Sequence, residues 1–538
     1  MLNNQLNQIF KSSCFSLQLL SNSKSFHSPP AFHQWKFSVE KETELVKKIP
    51  SARDIINEDT INEFLLSTRH AAKDPQKVES ILQAAKDRAF LKQFKSDEEL
   101  QTEFIQGLTL EETATLLNVD ETNHELMQKL FKTALEVKQR IYGNRIVLFT
   151  PLYVSNHCVG SCLYCGYRGE NKDIPRTSLN TEELVAEVKA IEGMGHKRVM
   201  MLTGESPKYS FEQFLDAVKV VSKVKDGNGE IRRVNVEIPQ LSISDFKRLK
   251  ATDAVGTYVL FQETYHRKTF KKMHPYGNKG KYEERLLTMD RAMLSGVDDV
   301  GIGALFGLYD YRFEVMALLQ HAQHLDKTYG AGPHTVSIPR IRPADCSETS
   351  AKPPYQVNDD EFRKLVAIIR LAVPYTGMIL TTRETPEVRR DLLNLGISQM
   401  SAGSKVDIGS YKNNEPNNEH NHSMGQFTLY DHRPANIVIR DLLKNGYVPS
   451  WCTACYRLGR TGPKFMAIAK KGEIHNMCHP NSILTLAEYL IDYADPETKK
   501  LGWEVIEKEM EKITSKNKKI QTLKLLEEVK KGKRDLYF

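Results

Sequence analysis

Between Arg145 and Gly403 the chain alternates short apolar runs with amphipathic stretches, and this alternation restricts the fold more than any other feature. The candidate strands are 146–154 (IVLFTPLYV), 198–204 (RVMMLTG), 234–238 (VNVEI), 257–262 (TYVLFQ), 300–305 (VGIGAL), 335–339 (TVSIP), 378–382 (MILTT) and 398–403 (SQMSAG). Helical patterns such as TEELVAEVKAIEGMG, FEQFLDAVKVVSKV, YEERLLTMDRAMLSG, EVMALLQHAQHLD, DEFRKLVAIIRLAV and TPEVRRDLLNLG lie between them. Apolar residues three and four apart mark helices with one buried face, and strands covered on both sides read as continuous apolar runs. Eight strand–helix repeats over roughly 260 residues are what an α/β chain needs for a (β/α)8 TIM-type barrel. An open doubly wound sheet is the rival built from the same units.

At 538 residues the chain accommodates such a barrel with additions at both ends. Residues 40–144 read as a helical extension, in which TINEFLLSTRH, VESILQAAKDRAFLKQF and ELMQKLFKTALEVKQRIYG carry the helical period and LTLEETATLLN opens with a Thr followed by acids. Residues 1–39 contain no acid and only Lys11, Lys24 and Lys36 as charges, with no Arg. That composition predicts an organelle transit peptide, and so a soluble enzyme of an organelle matrix: hydrogenosome or mitochondrion, alternatively plastid. The barrel is expected over 145–403. Beyond it VDIGSYKNNEPNNEHNHSMGQ reads as a polar loop opening a mainly helical C-terminal domain, 404–538.

With 40% hydrophobic and 27% charged residues and no long apolar window, the chain gives no sign of a membrane span. The formal charge of +7 includes the three leader lysines, and no basic run interleaved with aromatics stands out, so nucleic-acid binding is not expected. Lysines alternating with glutamates from Lys499 to Arg534 predict a solvated helical face. A monomer or homodimer is expected. Eight cysteines are too few for a disulfide framework, and six of them fall in two clusters, as metal ligands or redox pairs do in a reducing compartment. Cys14 and Cys346 read as incidental thiols.

Cys158, Cys162 and Cys165 have the spacing Cys-x3-Cys-x2-Cys just after the first predicted strand, in a loop loosened by Gly160, Gly166 and Gly169. Three thiolates can hold three corners of a cubane iron–sulfur cluster and leave one iron open. A zinc site would want a fourth ligand, which the adjacent His157 offers only with poor tetrahedral geometry. The C-terminal ends of barrel strands are also where such folds do chemistry. Cys452, Cys455 and Cys478 form Cys-x2-Cys-x22-Cys in WCTACYRLGRTG and HNMCHP. Spacing alone leaves an iron–sulfur cluster and a Cys3His zinc site, completed by His475 or His479, equally open, with a redox Cys pair a weaker third.

The first triplet, with Tyr164 before its last Cys, resembles the radical S-adenosylmethionine superfamily. The resemblance implies that the open iron binds S-adenosylmethionine and that one electron from the cluster cleaves it to a 5′-deoxyadenosyl radical. It carries the family's cofactor-binding positions onto Thr203, Gly204 and Glu205, where the first Gly of a Gly-Gly-Glu motif is missing, and onto Glu263 and Arg285. Together with the second triplet, the chain after its leader resembles the tyrosine lyases of [FeFe]-hydrogenase maturation. This implies two [4Fe-4S] clusters, one binding S-adenosylmethionine and one auxiliary with a labile fifth iron. The implied substrates are L-tyrosine, S-adenosylmethionine, iron and cysteine; the partners are an electron donor such as ferredoxin or flavodoxin and other hydrogenase maturation proteins. The implied reaction cleaves tyrosine to p-cresol and dehydroglycine, then makes carbon monoxide and cyanide for an iron synthon. A tyrosine lyase for thiazole synthesis, lacking the second cluster as a family, and a non-catalytic iron–sulfur carrier are the alternatives. For the labile iron, His334 at the start of the sixth strand is expected at the N-terminal mouth of the barrel, and neutral imidazole suits ferrous iron. His266, ending the fourth strand, is expected to contact tyrosine. Arg340 or Arg342, with Ser337 on the same strand, is expected to hold its carboxylate.

Overall fold

The computed structural model describes residues 49–89, 106–412 and 425–538. The expected transit peptide and the centre of the Asn-rich loop lie outside them. Eight parallel strands, β1 (Arg145–Ser155), β2 (Arg198–Thr203), β3 (Arg233–Glu237), β4 (Val255–Val259), β5 (Val300–Gly303), β6 (Thr335–Ser337), β7 (Gly377–Leu380) and β8 (Gln399–Ser401), follow chain order around one sheet. Val147 pairs with Gln399, Leu148 with Met400 and Phe149 with Ser401, joining β8 back to β1. This closure decides for the barrel, because a doubly wound sheet leaves its outer strands unpaired.

The strands are buried on both faces, and their two-residue period separates two apolar groups. Ile146, Leu148, Val199, Met201, Val234, Val236, Val336 and Met378 face the helices and belong to the main core. Phe149, Tyr153, Met200, Leu202, Val259 and Ile379 belong to a second cluster, which also contains Cys162, Tyr164 and Cys165. The lumen and the first thiol loop are therefore continuous. The helices between strands start where the chain supplies caps: Asn180 with Glu183, Ser210 with Gln213 and Asn358 with Glu361 each close a capping box. Thr109 and Glu112 do the same for Leu110–Leu117 in the N-terminal extension.

A ninth strand, β9 (Val448–Ser450), is absent from the sequence reading. It lies parallel to the start of β1, pairing Val448 with Arg145 and Ser450 with Val147. Three residues with a central proline carry no readable strand pattern, and an edge position is where a strand tolerates proline. Helices Ala435–Lys444, Gly462–Lys470, Ile474–Asp492, Pro496–Glu511 and Lys516–Lys530 complete the C-terminal region. No helix among the described residues is long and apolar enough to cross a membrane.

Two thiol sites at opposite mouths of the barrel

β1 runs into the loop bearing Cys158, Cys162 and Cys165, so the first triplet sits at the C-terminal mouth. All three thiols are free; Cys162 and Cys165 are buried and Cys158 is half-buried. Burial, reinforced by the charge of neighbouring thiols, pushes Cys158 up to about 11 and Cys165 up to about 12. Thiols so placed ionise when a metal displaces their protons, which is the chemistry of an iron–sulfur ligand set. A Cβ on Gly160 would lie 3.5 Å from the Cys158 sulfur and 3.9 Å from that of Cys162, so glycine keeps the space beside both sulfurs clear.

The loop is held by groups distant in sequence. The Arg176 guanidinium donates to the carbonyls of Asn156 (2.8 Å), Tyr167 (2.9 Å), Arg168 (2.7 Å) and Asn171 (2.9 Å). A Cβ on Gly204 would fall 2.3 Å from the His157 carbonyl oxygen. Only glycine lets the Thr203-Gly204-Glu205 turn lie against the thiol loop, where the Val159 N–H donates to the Glu205 carbonyl at 2.8 Å. The Tyr164 hydroxyl meets His274 Nε2 at 2.7 Å, and His274 Nδ1 lies 2.8 Å from the Phe270 carbonyl. Burial pulls His274 down to about 3, so the ring is neutral. Since a carbonyl only accepts, Nδ1 carries the proton and Nε2 accepts from Tyr164.

Glu263 sits in the left-handed region at φ 68°, a conformation side chains rarely adopt and one that collects at functional sites. Its Oε1 takes Lys279 at 2.5 Å and Arg285 at 3.6 Å. Burial raises this carboxyl, but the two cations outweigh it and hold Glu263 below its ordinary value. Burial leaves Glu205 raised, with a hydrogen bond from Asn278 in opposition.

The second triplet lies at the other end. One cavity is lined by Cys452, Cys455 and Cys478 together with Arg145, Arg198, Arg233, His334, Gly377 and Gln399. Five of these open strands β1, β2, β3, β7 and β8, and His334 precedes β6, which defines the N-terminal mouth. Trp451, stacked on Tyr489 with ring centres 4.8 Å apart, anchors the chain just before Cys452. Cys455 and Cys478 share a hydrogen bond that holds Cys478 below the usual thiol range and Cys455 above it. Burial pulls His334 down to about 4, leaving a neutral imidazole with Nδ1 3.3 Å from Asp299. His475 and His479 do not line this cavity; His479 Nε2 lies 3.1 Å from the Glu509 carbonyl. Among the described residues no three His, Cys, Asp or Glu side chains form a site for a single ion. Thiolates at three corners of a cubane bind three different irons and need no such convergence.

Residues 152–322 match the model of the radical SAM superfamily, and residues 337–448 match that of the biotin and thiamin synthesis associated domain. The 2-iminoacetate synthase of Escherichia coli (strain K12) is 31% identical over 343 residues, 63% of this chain and 86% of that protein. A crystal structure of HydG, a maturase of the [FeFe]-hydrogenase, aligns with a TM-score of 0.82 at 46% identity, covering 90% of this chain and 100% of that one. HydG from Carboxydothermus hydrogenoformans aligns at 0.71 and 34% identity, covering 89% and 100%. The chain belongs to the HydG family of radical SAM enzymes. Membership implies S-adenosylmethionine and a [4Fe-4S] cluster.

In this HydG-family enzyme the residues expected to grip the substrate are differently engaged. Arg340 donates from Nε to Glu384 at 3.1 Å and from Nη1 to the Val357 carbonyl at 3.0 Å, while Nη2 also pairs with Glu384 and Asp359 lies 2.8 Å away. Arg342 bonds the Arg383 carbonyl at 2.8 Å and Glu384. Ser337 is buried at the end of β6. His266 stacks on Tyr309 at 3.8 Å and bonds Thr269 at 2.8 Å, beside Arg267, which reaches Glu58 of the N-terminal extension.

Arg383, just past β7, is a residue the sequence reading passes over. Its guanidinium lies 3.3 Å above the Phe427 ring centre and makes no hydrogen bond or ion pair among the described residues. Burial lowers its pKa, against the pull of Tyr153, Glu263, Glu237 and Cys165, all at the C-terminal mouth or in the thiol loop. Glu237 ends β3 in register with Leu202 and Val259 of the lumen cluster. Burial, with Glu263 close by, raises its carboxyl to about 7. Arg383 was signalled only by its place after a predicted strand. The mouth arginines had a clearer signal, since RIVLF, RVMML and RVNVE each open a strand with arginine. Lys279 and His274 had none, as nothing local ties an irregular loop to the thiols.

Proposed function

We propose that this HydG-family enzyme is a tyrosine lyase that cleaves the Cα–Cβ bond of L-tyrosine to p-cresol and dehydroglycine. Dehydroglycine is then converted to carbon monoxide and cyanide, which join iron and cysteine in a synthon for the [FeFe]-hydrogenase H-cluster. One observation carries the reading: a second thiol triplet lines the N-terminal mouth of the same barrel whose C-terminal mouth bears the first. The likeness to HydG supports it, as does the likeness to a 2-iminoacetate synthase, since 2-iminoacetate is dehydroglycine.

In this reading Cys158, Cys162 and Cys165 hold the first cluster, and Tyr164, Thr203, Gly204, Glu205, Glu263 and Arg285 surround S-adenosylmethionine. When bound, these groups supply the carbon radical that takes a hydrogen atom from the substrate amino group. Arg383 grips the tyrosine carboxylate through its free guanidinium fork. Glu237, ionising near neutrality, accepts the ammonium proton so that the amine is presented for abstraction. Cys452, Cys455 and Cys478 hold the auxiliary cluster, and neutral His334 receives the labile iron, which is substrate and cargo. A lumen enclosed by the eight strands between the mouths suits passage of a small molecule and limits its escape. An acidic one-electron carrier such as ferredoxin or flavodoxin and further maturation proteins complete the system. The acid-free leader supports delivery to an organelle matrix.

An anaerobic assay with S-adenosylmethionine, tyrosine and dithionite tests the reading, with p-cresol and carbon monoxide as the expected products. Formation of p-cresol without carbon monoxide would assign the chain to thiazole supply. Absence of both would leave an iron–sulfur carrier.

A further inference from the structure

The first thiol loop is covered by the segment from Arg267 to Tyr282, and that cover is basic. It contains Arg267, Lys268, Lys271, Lys272, Lys279 and Lys281 with Phe270, Tyr276 and Tyr282, and no acid. This is a basic run interleaved with aromatics, contrary to the whole-chain reading, in which a balanced net charge hides it. Three of its cations are engaged: Lys279 with Glu263 at 2.5 Å, Arg267 with Glu58 at 3.2 Å and Lys281 with Glu284 at 3.2 Å. Lys268, Lys271 and Lys272 are exposed and have no ion-pair partner among the described residues.

Tyr276 is 70% exposed. Yet its backbone N–H donates to Ser161 Oγ at 2.7 Å, and Ser161 Oγ donates to its carbonyl at 3.1 Å. Ser161 adjoins Cys162, so one hydrogen bond and one peptide link connect an exposed aromatic residue to a cluster thiol. The Leu163 N–H donates to the Met273 carbonyl at 3.1 Å, fixing the lysine-bearing helix Arg267–Met273 to the same loop.

We propose that Lys268, Lys271, Lys272 and Tyr276 form the docking face for an acidic one-electron carrier protein that reduces the first cluster. The inference rests on the reading of Cys158, Cys162 and Cys165 as cluster ligands. Exposed cations without an ion-pair partner among the described residues steer an oppositely charged partner, and an exposed aromatic beside them in sequence is the residue type that anchors one. The path from that anchor into the loop is short and wholly within the protein.

The test uses the full chain with Lys268→Glu, Lys271→Glu and Lys272→Glu combined, reconstituted anaerobically, with a reduced acidic ferredoxin and dithionite as separate reductants. The ferredoxin rate at low salt should fall by about 10- to 100-fold and lose its salt dependence, while reduction by dithionite stays unchanged. Ferredoxin affinity for the cluster-free chain should fall in parallel, and Tyr276→Ala should slow reduction by about threefold without altering the salt slope. Unchanged ferredoxin binding and reduction in the triple variant would overturn the proposal, as would a loss confined to binding of a single-stranded RNA probe. If dithionite failed to reduce the unsubstituted protein, the cluster reading would fall; the cluster-free binding comparison would still decide the docking face.

Discussion

The two thiol triplets carry the same donor atoms in different electrostatic surroundings. At the C-terminal mouth the cysteines share their space with carboxyls and cations together, Glu205, Glu237 and Glu263 with Lys279, Arg285 and Arg383, and burial pushes Cys158 and Cys165 up. At the N-terminal mouth they share a cavity with Arg145, Arg198 and Arg233, where the hydrogen bond with Cys455, and then Arg145, hold Cys478 down while Cys452 and Cys455 are raised. Burial and the neighbouring Arg233 pull Arg198 down to about 9, a sign of crowded cations that a bound anion would relieve. A mouth holding carboxyls as well as cations suits a sulfonium that bears both an ammonium and a carboxylate group. An arginine-lined mouth suits cyanide and the carboxylate of cysteine. In the proposed reaction the difference would give each triplet its side: one end opens a cationic cofactor, and the other collects anionic fragments.

The largest effects should come from separating the triplets. Cys158→Ser should reduce p-cresol to background. Serine at Cys452, Cys455 and Cys478 together should leave p-cresol within about threefold while abolishing the carbonyl-bearing iron product seen by infrared spectroscopy, because distant sites act independently. Equal loss of p-cresol in both variants would break the division of labour. Next, Arg383→Met should raise KM for tyrosine by about 30- to 100-fold, the roughly 2–3 kcal/mol of a charge-assisted fork. Arg340→Met should instead cost about 3–5 kcal/mol of stability in urea titration, because it strips a principal partner from buried Glu384. A KM effect at Arg340 and none at Arg383 would reverse the substrate assignment.

Smaller effects sharpen the picture of the first mouth. Gly204→Ala places a methyl 2.3 Å from the His157 carbonyl. It should cost about 1–3 kcal/mol and weaken S-adenosylmethionine binding, measured by calorimetry. Glu237→Gln should have the mildest consequence, and its sign follows from linkage. The folded carboxyl ionises near 7, above its ordinary value of 4.5, so the native state keeps a proton that the unfolded chain releases. Stability is therefore lost as pH rises from about 4.5 to 7 and stays lower above that range. The variant should match the unsubstituted protein at pH 4 and exceed it by about 1–2 kcal/mol at pH 8 in parallel melts. No gap at pH 8 would mean that Glu237 is better solvated than its position implies.

Much of the architecture was legible because it is local. Each of the eight barrel strands overlaps a run that reads as apolar, and the Thr109 capping box stands where Thr was followed by acids. β9 escaped because three residues cannot display a period. Among the candidate site residues, both cysteine triplets were legible from spacing, and His334 from its place before a strand. Arg340, Arg342 and Arg383 look alike in sequence, three guanidiniums near strand ends. Packing alone commits the first two to Glu384 and sets the third over the Phe427 ring with no carboxylate partner among the described residues.

By itself, then, the sequence determined the strand–helix alternation, the clustering of six cysteines into two triplets and the family they resemble. All of these depend on neighbours a few residues apart. Only the tertiary structure decided that the triplets face opposite mouths, that arginines crowd one while carboxyls and cations mix at the other, and that a lysine-rich helix covers the first. Those facts depend on which distant segments the closed barrel brings together, and charge or hydrogen-bond partners across such distances leave no periodic trace in the chain.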